Sequence, residues 1–220
     1  MPRKSFHDEL DELKRDVLMM GRIARQAIEN AVKAVVECDV ELAEEVIKMD
    51  DRIDLLNYQI EEHAMEIIAR QAPVASDLRL CWTTMFIALH LERIGDLAVN
   101  MAKGAKRSCP IDGMIAPVGQ SISDMGDETL CIFDLCLKVF EERDVELARK
   151  LTGMDDVVDR MHRNMFEQLS RHQGNESMQW IGSILLASRF LERVADHCVD
   201  IAERIDYLVT GQIPDGREIE

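Results

Sequence analysis

Hydrophobic and polar residues alternate along this 220-residue chain with the spacing of amphipathic helices. Three long helical patterns precede residue 105 and three follow residue 117. The first runs from a candidate N-cap at Ser5 to about Val36, and the second ends at about Arg70. The third runs from a candidate N-cap at Ser76 to about Lys103. Short breaks separate the patterns, and the second break contains a proline, which disfavours helix at the residue before it.

The second half of the chain repeats the first, at an offset of 105 residues that later falls to 100. This self-similarity predicts a duplicated three-helix unit, and the short connections make each unit an up-down-up bundle. The matching segments are "DVELA" at 39–43 and 144–148, "MDDRID" at 49–54 with "MDDVVD" at 154–159, and "LERIGDLAVNMA" at 91–102 with "LERVADHCVDIA" at 191–202.

We therefore predict an all-α fold of two tandem antiparallel three-helix bundles, with six helices related by internal duplication. The first bundle covers residues 1–108 and the second covers residues 121–220. The segment 109–120 collects glycine, proline and serine, and it is predicted to be the linker.

Composition and charge narrow the classes of protein. Hydrophobic residues make up 47% of the chain, and the net charge of −16 disfavours binding to nucleic acid. There is no apolar run of membrane-spanning length and no secretory signal pattern, so we expect a cytoplasmic protein that meets a membrane only through partners. The six cysteines have no C-x-x-C spacing, and we expect reduced thiols.

Acidic residues recur four positions apart on the second and third helix of each predicted bundle. On a helical wheel, Asp96 lies about 40° from Glu92, away from most apolar residues of that helix. Each bundle is therefore expected to bring two such pairs together across one outer groove. The residues concerned are Asp50, Asp54, Glu92 and Asp96 in the first repeat, and Asp155, Asp159, Glu192, Asp196 and Asp200 in the second.

Four converging carboxylates need a counter-charge, because like charges repel one another at this spacing. Oxygen ligands suit hard cations such as Mg²⁺, Ca²⁺, Mn²⁺ or iron, and carboxylates can bridge two metals. The alternative is an acidic helix face that is simply solvated, as most charge runs are. The residues alone leave both interpretations open.

The same segments resemble the PhoU family. The resemblance rests on the "MDDRID" and "ERIGDLAVNMA" pairs, on their repeats and on "RQAPVASDLRL" at 70–80, and it covers nearly the whole chain. It implies two tandem three-helix bundles whose E/D-x-x-x-D motifs carry metal clusters, with iron or zinc as the ion. The implied sites are Asp50, Asp54, Glu92 and Asp96 for one cluster, and Asp155, Asp159, Glu192 and Asp196 for the other.

The resemblance also implies a regulatory role. Members of the family are cytoplasmic, and they work beside the high-affinity phosphate ABC transporter. They contact its ATPase subunit and the phosphate-sensing histidine kinase, and they repress phosphate-starvation genes when phosphate is plentiful. Apolar residues that share the carboxylate stripe make a homodimer or higher oligomer plausible.

The two repeats differ beside the acidic motif. The second has His197 and Asp200 where the first has Leu97 and Asn100. The extra carboxylate is expected to make the second site richer in anionic oxygen, so that it holds metal more tightly.

The histidines are treated mainly as structural residues. His90 and His197 point toward the apolar face on the wheel, and His63 follows the apolar seam of its helix, so we expect packed side chains. His162 falls within about 20° of Asp155 on the wheel. We expect a partly exposed surface histidine there, with a supplementary metal ligand as the alternative.

Two other functional classes were weighed against a metal-binding regulator. A carboxylate di-iron protein needs inward-facing Glu-x-x-His motifs, and none is present in the sequence. A metal-free helical adaptor would use the acidic stripe to dock basic partners. No catalytic nucleophile or glycine-rich phosphate loop is apparent, so we expect no enzyme activity, and we expect phosphate to be sensed through the transporter.

Overall fold

The computed structural model describes residues 3–108, 115–171 and 178–212, and within these ranges it contains seven α-helices and no strand. Helices α1 to α3 form one antiparallel bundle, and α4 packs with α5, α6 and α7 in a second. The predicted fold class is confirmed. The helices are α1 (Arg3–Glu37), α2 (Val40–Gln71), α3 (Ala75–Ser108), α4 (Ala116–Glu142), α5 (Val145–Leu151), α6 (Asp155–Ser170) and α7 (Met178–Thr210).

The turns between the first two helices of each bundle have the same local chemistry. Asp39 caps α2 by accepting a hydrogen bond from the backbone N–H of Leu42 at 2.9 Å. Asp144 caps α5 in the same way, through the N–H of Leu147 at 3.0 Å. A side-chain oxygen at this position satisfies a backbone donor that has no partner inside the helix. The repeated "DVELA" segment is therefore a helix start that the chain uses twice.

Two predicted helix starts were wrong. Helix α1 already includes Ser5, and Ser76 lies inside α3, which begins at Ala75. Helix α4 begins at Ala116, within the range assigned to the linker, and Pro117 fits its first turn because that position needs no backbone donor. Residues 109–114 of the predicted linker lie outside the described residues.

The fifth predicted helix is interrupted. Its first part, α5, ends at Leu151, and its second part, α6, begins at Asp155. The corresponding residues of the first repeat, 47–49, lie in the uninterrupted helix α2. Gly153 occupies the break, where glycine costs a helix more than the Lys48 found in the other repeat. Together α5 and α6 are the counterpart of α2, and the six-helix plan is retained.

The apolar faces predicted from the helical wheel form the core. On both third helices these residues are buried, and they pack against the other helices of their own bundle or against the neighbouring third helix. The predicted positions that are buried are Ile87, Ile94, Leu97, Ala98 and Met101 on α3, and Ala187, Val194, Cys198, Ile201 and Ile205 on α7.

The first helices of the two bundles also cross, with close contacts that the repeat relates to one another. A Cβ added at Gly21 on α1 would lie 2.6 Å from Cδ2 of Leu137 on α4. A Cβ added at Gly126 on α4 would lie 2.8 Å from Cγ1 of Val32 on α1. Gly21 and Gly126 occupy equivalent positions of the two repeats, and so do Val32 and Leu137. Each contact is therefore the repeat equivalent of the other. The two bundles therefore meet with approximate two-fold symmetry.

The third helices pack antiparallel across the same approximate axis. Near one end of this contact, Nε of Arg79 donates to the carbonyl oxygen of Leu208 at 3.2 Å. Near the other end, Nε2 of Gln179 donates to the carbonyl oxygen of Arg107 at 3.2 Å. Arg79 and Gln179 occupy equivalent positions of the two repeats. The α3–α7 contact thus has two equivalent ends, whose side chains can be compared.

The expectation of reduced thiols is wrong for Cys38. Cys38, at the turn after α1, is disulfide-bonded. Four other cysteines are free, namely Cys81, Cys131, Cys136 and Cys198. None of the helices in the described ranges is long and apolar enough to cross a membrane.

Candidate metal centre

Four carboxylates from α2 and α3 lie together in the first bundle, and we call them the first carboxylate cluster. They are Asp50 and Asp54 on α2, and Glu92 and Asp96 on α3. Burial raises the pKa of Asp50, and the negative charges of Asp54 and Asp96 raise it further. Burial also raises the pKa of Glu92, and Asp96 and Asp54 add to this effect. The two helices thus present their acids to the same groove, as the wheel predicted.

Glu92 is a partly buried member of the first carboxylate cluster. Its side chain is 23% exposed, compared with 47% for Asp96. Its Oε2 atom is buried and accepts no hydrogen bond. The nearest cation is Arg93, whose Nε lies 3.5 Å from this oxygen and whose guanidinium also reaches Asp96 at 3.8 Å. One arginine therefore offsets only part of the negative charge.

The second bundle contains the equivalent group, which we call the second carboxylate cluster. Its members are Asp155 and Asp159 on α6, and Glu192 and Asp196 on α7. Burial raises the pKa of Asp196, and the charges of Glu192 and Asp159 raise it further. Burial also raises the pKa of Asp155, although the backbone N–H of Asp156, which donates to its Oδ1 at 3.1 Å, opposes the shift.

Basic side chains border the second carboxylate cluster on both helices. Arg163 on α6 lies 4.0 Å from Oδ2 of Asp159. Arg189 on α7 donates to Oε2 of Glu192, whose side chain is only 12% exposed. Basic side chains thus offset part of the negative charge of both clusters, since Lys103 acts on Asp50 in the first in addition to Arg93.

Asp200 belongs to a different group. Its Oδ2 lies 3.8 Å from Nδ1 of His90, and His197 completes the group. The expectation that Asp200 enriches the second carboxylate cluster is thus not supported, because the side chain is directed to the α3–α7 contact. Within the described ranges, this is the one group in which three potential ligand atoms lie within 4.8 Å of one another. The oxygens of both carboxylate clusters are more widely spaced.

His90 and His197 are packed side chains, as the wheel indicated. Their Nδ1 atoms are 3.1 Å apart, and each ring is half-buried. Burial lowers the pKa of His197 to about 4, with a further contribution from His90. Burial also lowers the pKa of His90. Their proximity could not be read from either helix alone, because it depends on how the two bundles pack.

The other two histidines examined in the sequence are bound to protein groups. Nδ1 of His162 lies 2.9 Å from the hydroxyl oxygen of Ser188, so the ring is half-buried in a contact between α6 and α7 and not simply at the surface. His63 is half-buried, with its Nδ1 3.9 Å from Oδ2 of Asp16.

The donor set of the two carboxylate clusters fits hard cations. All eight ligands are carboxylates, and each cluster has at least two members whose pKa is raised by burial and by neighbouring anions. A bound cation would relieve that repulsion, and it would give the unpartnered Oε2 of Glu92 a ligand role.

The fold and the site define a duplicated all-helical protein with one acidic cluster on each repeat. A family model described as "PhoU domain" matches the chain twice, over residues 17–105 and 122–205. The chain belongs to the PhoU family.

Several relatives match nearly the whole chain. It is 32% identical to "Phosphate-specific transport system accessory protein PhoU homolog 2" of Mycobacterium tuberculosis, over 96% of this chain and 100% of the relative. It is 33% identical to a PhoU homolog of Clostridium acetobutylicum that has the same descriptive name, over 96% of this chain and 97% of the relative.

Solved structures agree with this assignment. The crystal structure of PhoU from Pseudomonas aeruginosa superposes with a TM-score of 0.85 at 30% identity, covering 94% of this chain and 100% of that chain. The phosphate transport system regulatory protein PhoU from Streptococcus pneumoniae superposes with a TM-score of 0.87 at 27% identity, covering 96% and 100%.

Proposed function

We propose that this protein is a cytoplasmic accessory regulator of high-affinity phosphate uptake and of phosphate-starvation signalling. The relatives that match its whole length are named as accessory or regulatory proteins of a phosphate transport system. In the proposed role, the protein restrains uptake and keeps starvation genes repressed when phosphate is plentiful. It acts by binding partners and not by catalysis.

The observation that carries the proposal is the pair of equivalent carboxylate clusters in a chain that matches the family over its whole length. Each cluster would hold one or more metal ions, with iron or zinc as the leading ions and Mg²⁺ or Mn²⁺ as alternatives. The first would use Asp50, Asp54, Glu92 and Asp96, and the second Asp155, Asp159, Glu192 and Asp196. Bound ions would hold the carboxylate side chains of the groove in place and reverse its charge. Both effects change the surface that a partner would meet.

The proposed partners are the ATPase subunit of the phosphate ABC transporter and the phosphate-sensing histidine kinase. The absence of a membrane-crossing helix in the described ranges fits a protein that reaches the membrane through them. Self-association as a homodimer is also part of the proposal. Leu89 supports it, because this exposed apolar residue lies one helical turn before Glu92 on the same side of α3.

The test combines metal analysis with partner binding and a reporter. Protein purified without chelator is assayed for metal per chain and then used to capture the tagged ATPase subunit. In cells that lack the native gene, the wild-type chain should repress a phosphate-starvation reporter at high phosphate. Glu92→Gln with Asp96→Asn should lose metal at the first cluster and weaken this repression.

The main alternative is a metal-free adaptor that docks basic partners on the acidic grooves, since acidic surfaces attract basic faces. If the purified protein holds no stoichiometric metal and capture is unchanged by EDTA, the adaptor is the better account. If the reporter is repressed equally with and without the chain, the regulatory proposal itself is wrong. The di-iron alternative is disfavoured because the carboxylates lie at grooves and not among the buried residues of a bundle.

A further inference from the structure

A group of two histidines and one aspartate lies where α3 and α7 pack together. His90 belongs to α3, and His197 and Asp200 belong to α7. The group is separate from both carboxylate clusters, and neither of the proposed sites uses it. We propose that these three side chains bind one divalent transition-metal ion, for which Zn²⁺ is the probe. The bound ion would clasp the two bundles together.

The distances fit a four-coordinate ion. Zn²⁺ binds imidazole nitrogen and carboxylate oxygen at about 2.0–2.2 Å, so ligand atoms around a tetrahedral ion are about 3.3–3.5 Å apart. The two Nδ1 atoms are 3.1 Å apart, and Nδ1 of His90 is 3.8 Å from Oδ2 of Asp200. These separations lie on either side of the required value. All three ligand atoms lie within 4.8 Å of one another, so small side-chain movements would complete the site, with water as the fourth ligand.

The surroundings hold the ligands in place and leave an entrance. The ring of His90 stacks on Phe86 with centroids 4.2 Å apart, and it meets the ring of His197 edge to face at 5.0 Å. Only 13% of the His90 side chain is exposed, whereas Asp200 is 49% exposed. An ion can therefore enter from the Asp200 side, and a water ligand has room there.

Three arginines, Arg93, Arg193 and Arg204, act on the two rings, and two of them are engaged by other groups. Arg93 and Arg204 are among the charges that act on His90. The guanidinium of Arg93 pairs with Glu92 in the first carboxylate cluster, and that of Arg204 lies 4.0 Å from the ring centroid of Trp82. Asp200 is the one anion that also acts on both rings. The ligand set for a divalent ion is thus one carboxylate with two imidazoles, which suits Zn²⁺ and its first-row neighbours.

Only one end of the α3–α7 contact has these ligands. At the equivalent end, the repeat places Phe190 for His90, Leu97 for His197 and Asn100 for Asp200. Phe190 and Asn100 line one cavity there, just as His90 and Asp200 lie together here. The fold is thus compatible with residues that cannot bind metal at this position. That gives each ligand a matched replacement taken from the same chain.

The competing explanation is a hydrogen bond between the two imidazoles. It accounts for the 3.1 Å between the nitrogens, but it gives Asp200 no role. The experiment therefore measures an ion with a spectroscopic signature. Chelator-treated full-length protein is titrated with Co²⁺ and followed by visible absorption. Four-coordinate Co²⁺ with nitrogen ligands absorbs strongly, whereas six-coordinate Co²⁺ in oxygen-only carboxylate sites absorbs weakly.

The expected result is an intense band that saturates at one Co²⁺ per chain and is displaced by Zn²⁺. His90→Phe and His197→Leu should each abolish the band, and Asp200→Asn should shift its midpoint to higher Co²⁺ concentration. His63→Gln is the control and should leave the band unchanged. Zn²⁺ should raise the melting temperature of the wild type by more than that of His197→Leu, because both proteins keep the carboxylate clusters and only the wild type has the histidine site.

The proposal is overturned if the wild type gives no intense band, or if the band survives in both histidine variants. The exposed Asp200→Asn variant keeps the test valid if a histidine variant fails to fold. A saturable band with the same Zn²⁺-dependent rise in melting temperature in the wild type and in His197→Leu would show that the ion does not hold the two bundles together. Failure of the carboxylate clusters to bind metal would leave these results unaffected, because the two kinds of site give different spectra.

Discussion

In the first cluster, repulsion among carboxylates destabilises the charged form of Glu92 until a cation is bound. Burial and neighbouring anions both disfavour the charge of Glu92. Glu92→Gln should therefore stabilise metal-free protein by about 0.5 kcal/mol, the size of a like-charge pair on a helix. The same change should reduce the stabilisation by Mn²⁺, because a ligand is lost.

Thermal unfolding in EDTA and in excess Mn²⁺ checks this reversal of sign. Mn²⁺ is chosen because it prefers oxygen ligands to imidazole. Glu45→Gln, at an exposed position of the same bundle, is the control. It should neither stabilise the metal-free protein nor reduce the stabilisation by Mn²⁺. A Glu92→Gln protein that is less stable than wild type under both conditions would contradict the account of the groove.

Two glycines at the crossing of α1 and α4 predict a graded loss of stability. Gly126→Ala would meet Val32, whose branched side chain has little freedom, and it should cost about 1–3 kcal/mol. Gly21→Ala meets the ends of the longer Leu137 side chain and should cost less. Gly182→Ala is the control: its Cβ meets nothing within 4 Å, and it should stabilise the helix by about 0.5–1 kcal/mol.

Chemical denaturation of the three variants measures this order. A Gly126→Ala protein as stable as the Gly182→Ala protein would mean that α1 and α4 do not cross this closely. The prediction concerns contact between the bundles, so the helical content of all three variants should stay the same.

At single residues, sequence periodicity was reliable only for contacts within one bundle. It correctly assigned Glu92 and Asp96 to a groove shared with α2, because the wheel gives the direction of each side chain relative to its own helix. It grouped Asp200 with Glu192 and Asp196 on the same argument. The position of Asp200 depends instead on His90 of the other bundle, and no pattern within one helix contains that information.

Among the elements, the interruption between α5 and α6 is the clearest departure from the repeat. The sequence carried a weak signal at Gly153, but an isolated glycine is often tolerated within a helix. The break has a consequence for the second carboxylate cluster. Asp155 lies in the first turn of α6, where the helix dipole favours a negative charge, whereas Asp50 lies inside α2. The two clusters are therefore not equivalent.

Hydrogen exchange can measure this difference between the repeats. Backbone amides of residues 152–156 should exchange faster than those of residues 47–51, because the break replaces regular helical hydrogen bonds by local ones such as the 3.4 Å bond from Thr152 N–H to Ala148. Gly153→Lys introduces the residue of the other repeat and should favour a continuous helix by about 1 kcal/mol. Exchange at 152–156 should then slow. Equal protection of the two wild-type segments would contradict the break.

At the scale of the whole molecule, each carboxylate cluster is built within one bundle, and this predicts independent sites. Asp50→Asn with Glu92→Gln should remove metal from the first cluster only, and Glu192→Gln with Asp196→Asn from the second only. Metal per chain should fall in each variant and disappear from both clusters when the four changes are combined. Circular dichroism should be unchanged, since these side chains lie outside the apolar core.

Metal analysis with the carboxylate variants would also reveal coupling. If removing one cluster empties the other, the sites communicate through the contact between the bundles. Unfolding of the Glu192→Gln with Asp196→Asn variant would show that these acids have a structural role that their partial exposure does not suggest.

The overall architecture was predictable because the two halves of the sequence contain matching segments. Matching segments identified two equivalent units, and apolar periodicity identified the face that each helix buries. The packing of one unit on the other was not predictable. It depends on glycines at 21 and 126 and on the antiparallel contact of α3 with α7, and these are pairings between residues about one hundred positions apart.

The approximate two-fold axis between the bundles gives the chain the geometry of a symmetric dimer whose subunits have been joined. Each surface meets a copy of itself, as in a two-fold interface between separate molecules. Covalent joining makes that association intramolecular and therefore independent of protein concentration. It also releases each half from having to remain identical. One half could lose or gain ligands, as the differing residues at the two ends of the α3–α7 contact illustrate, while the shared interface was kept.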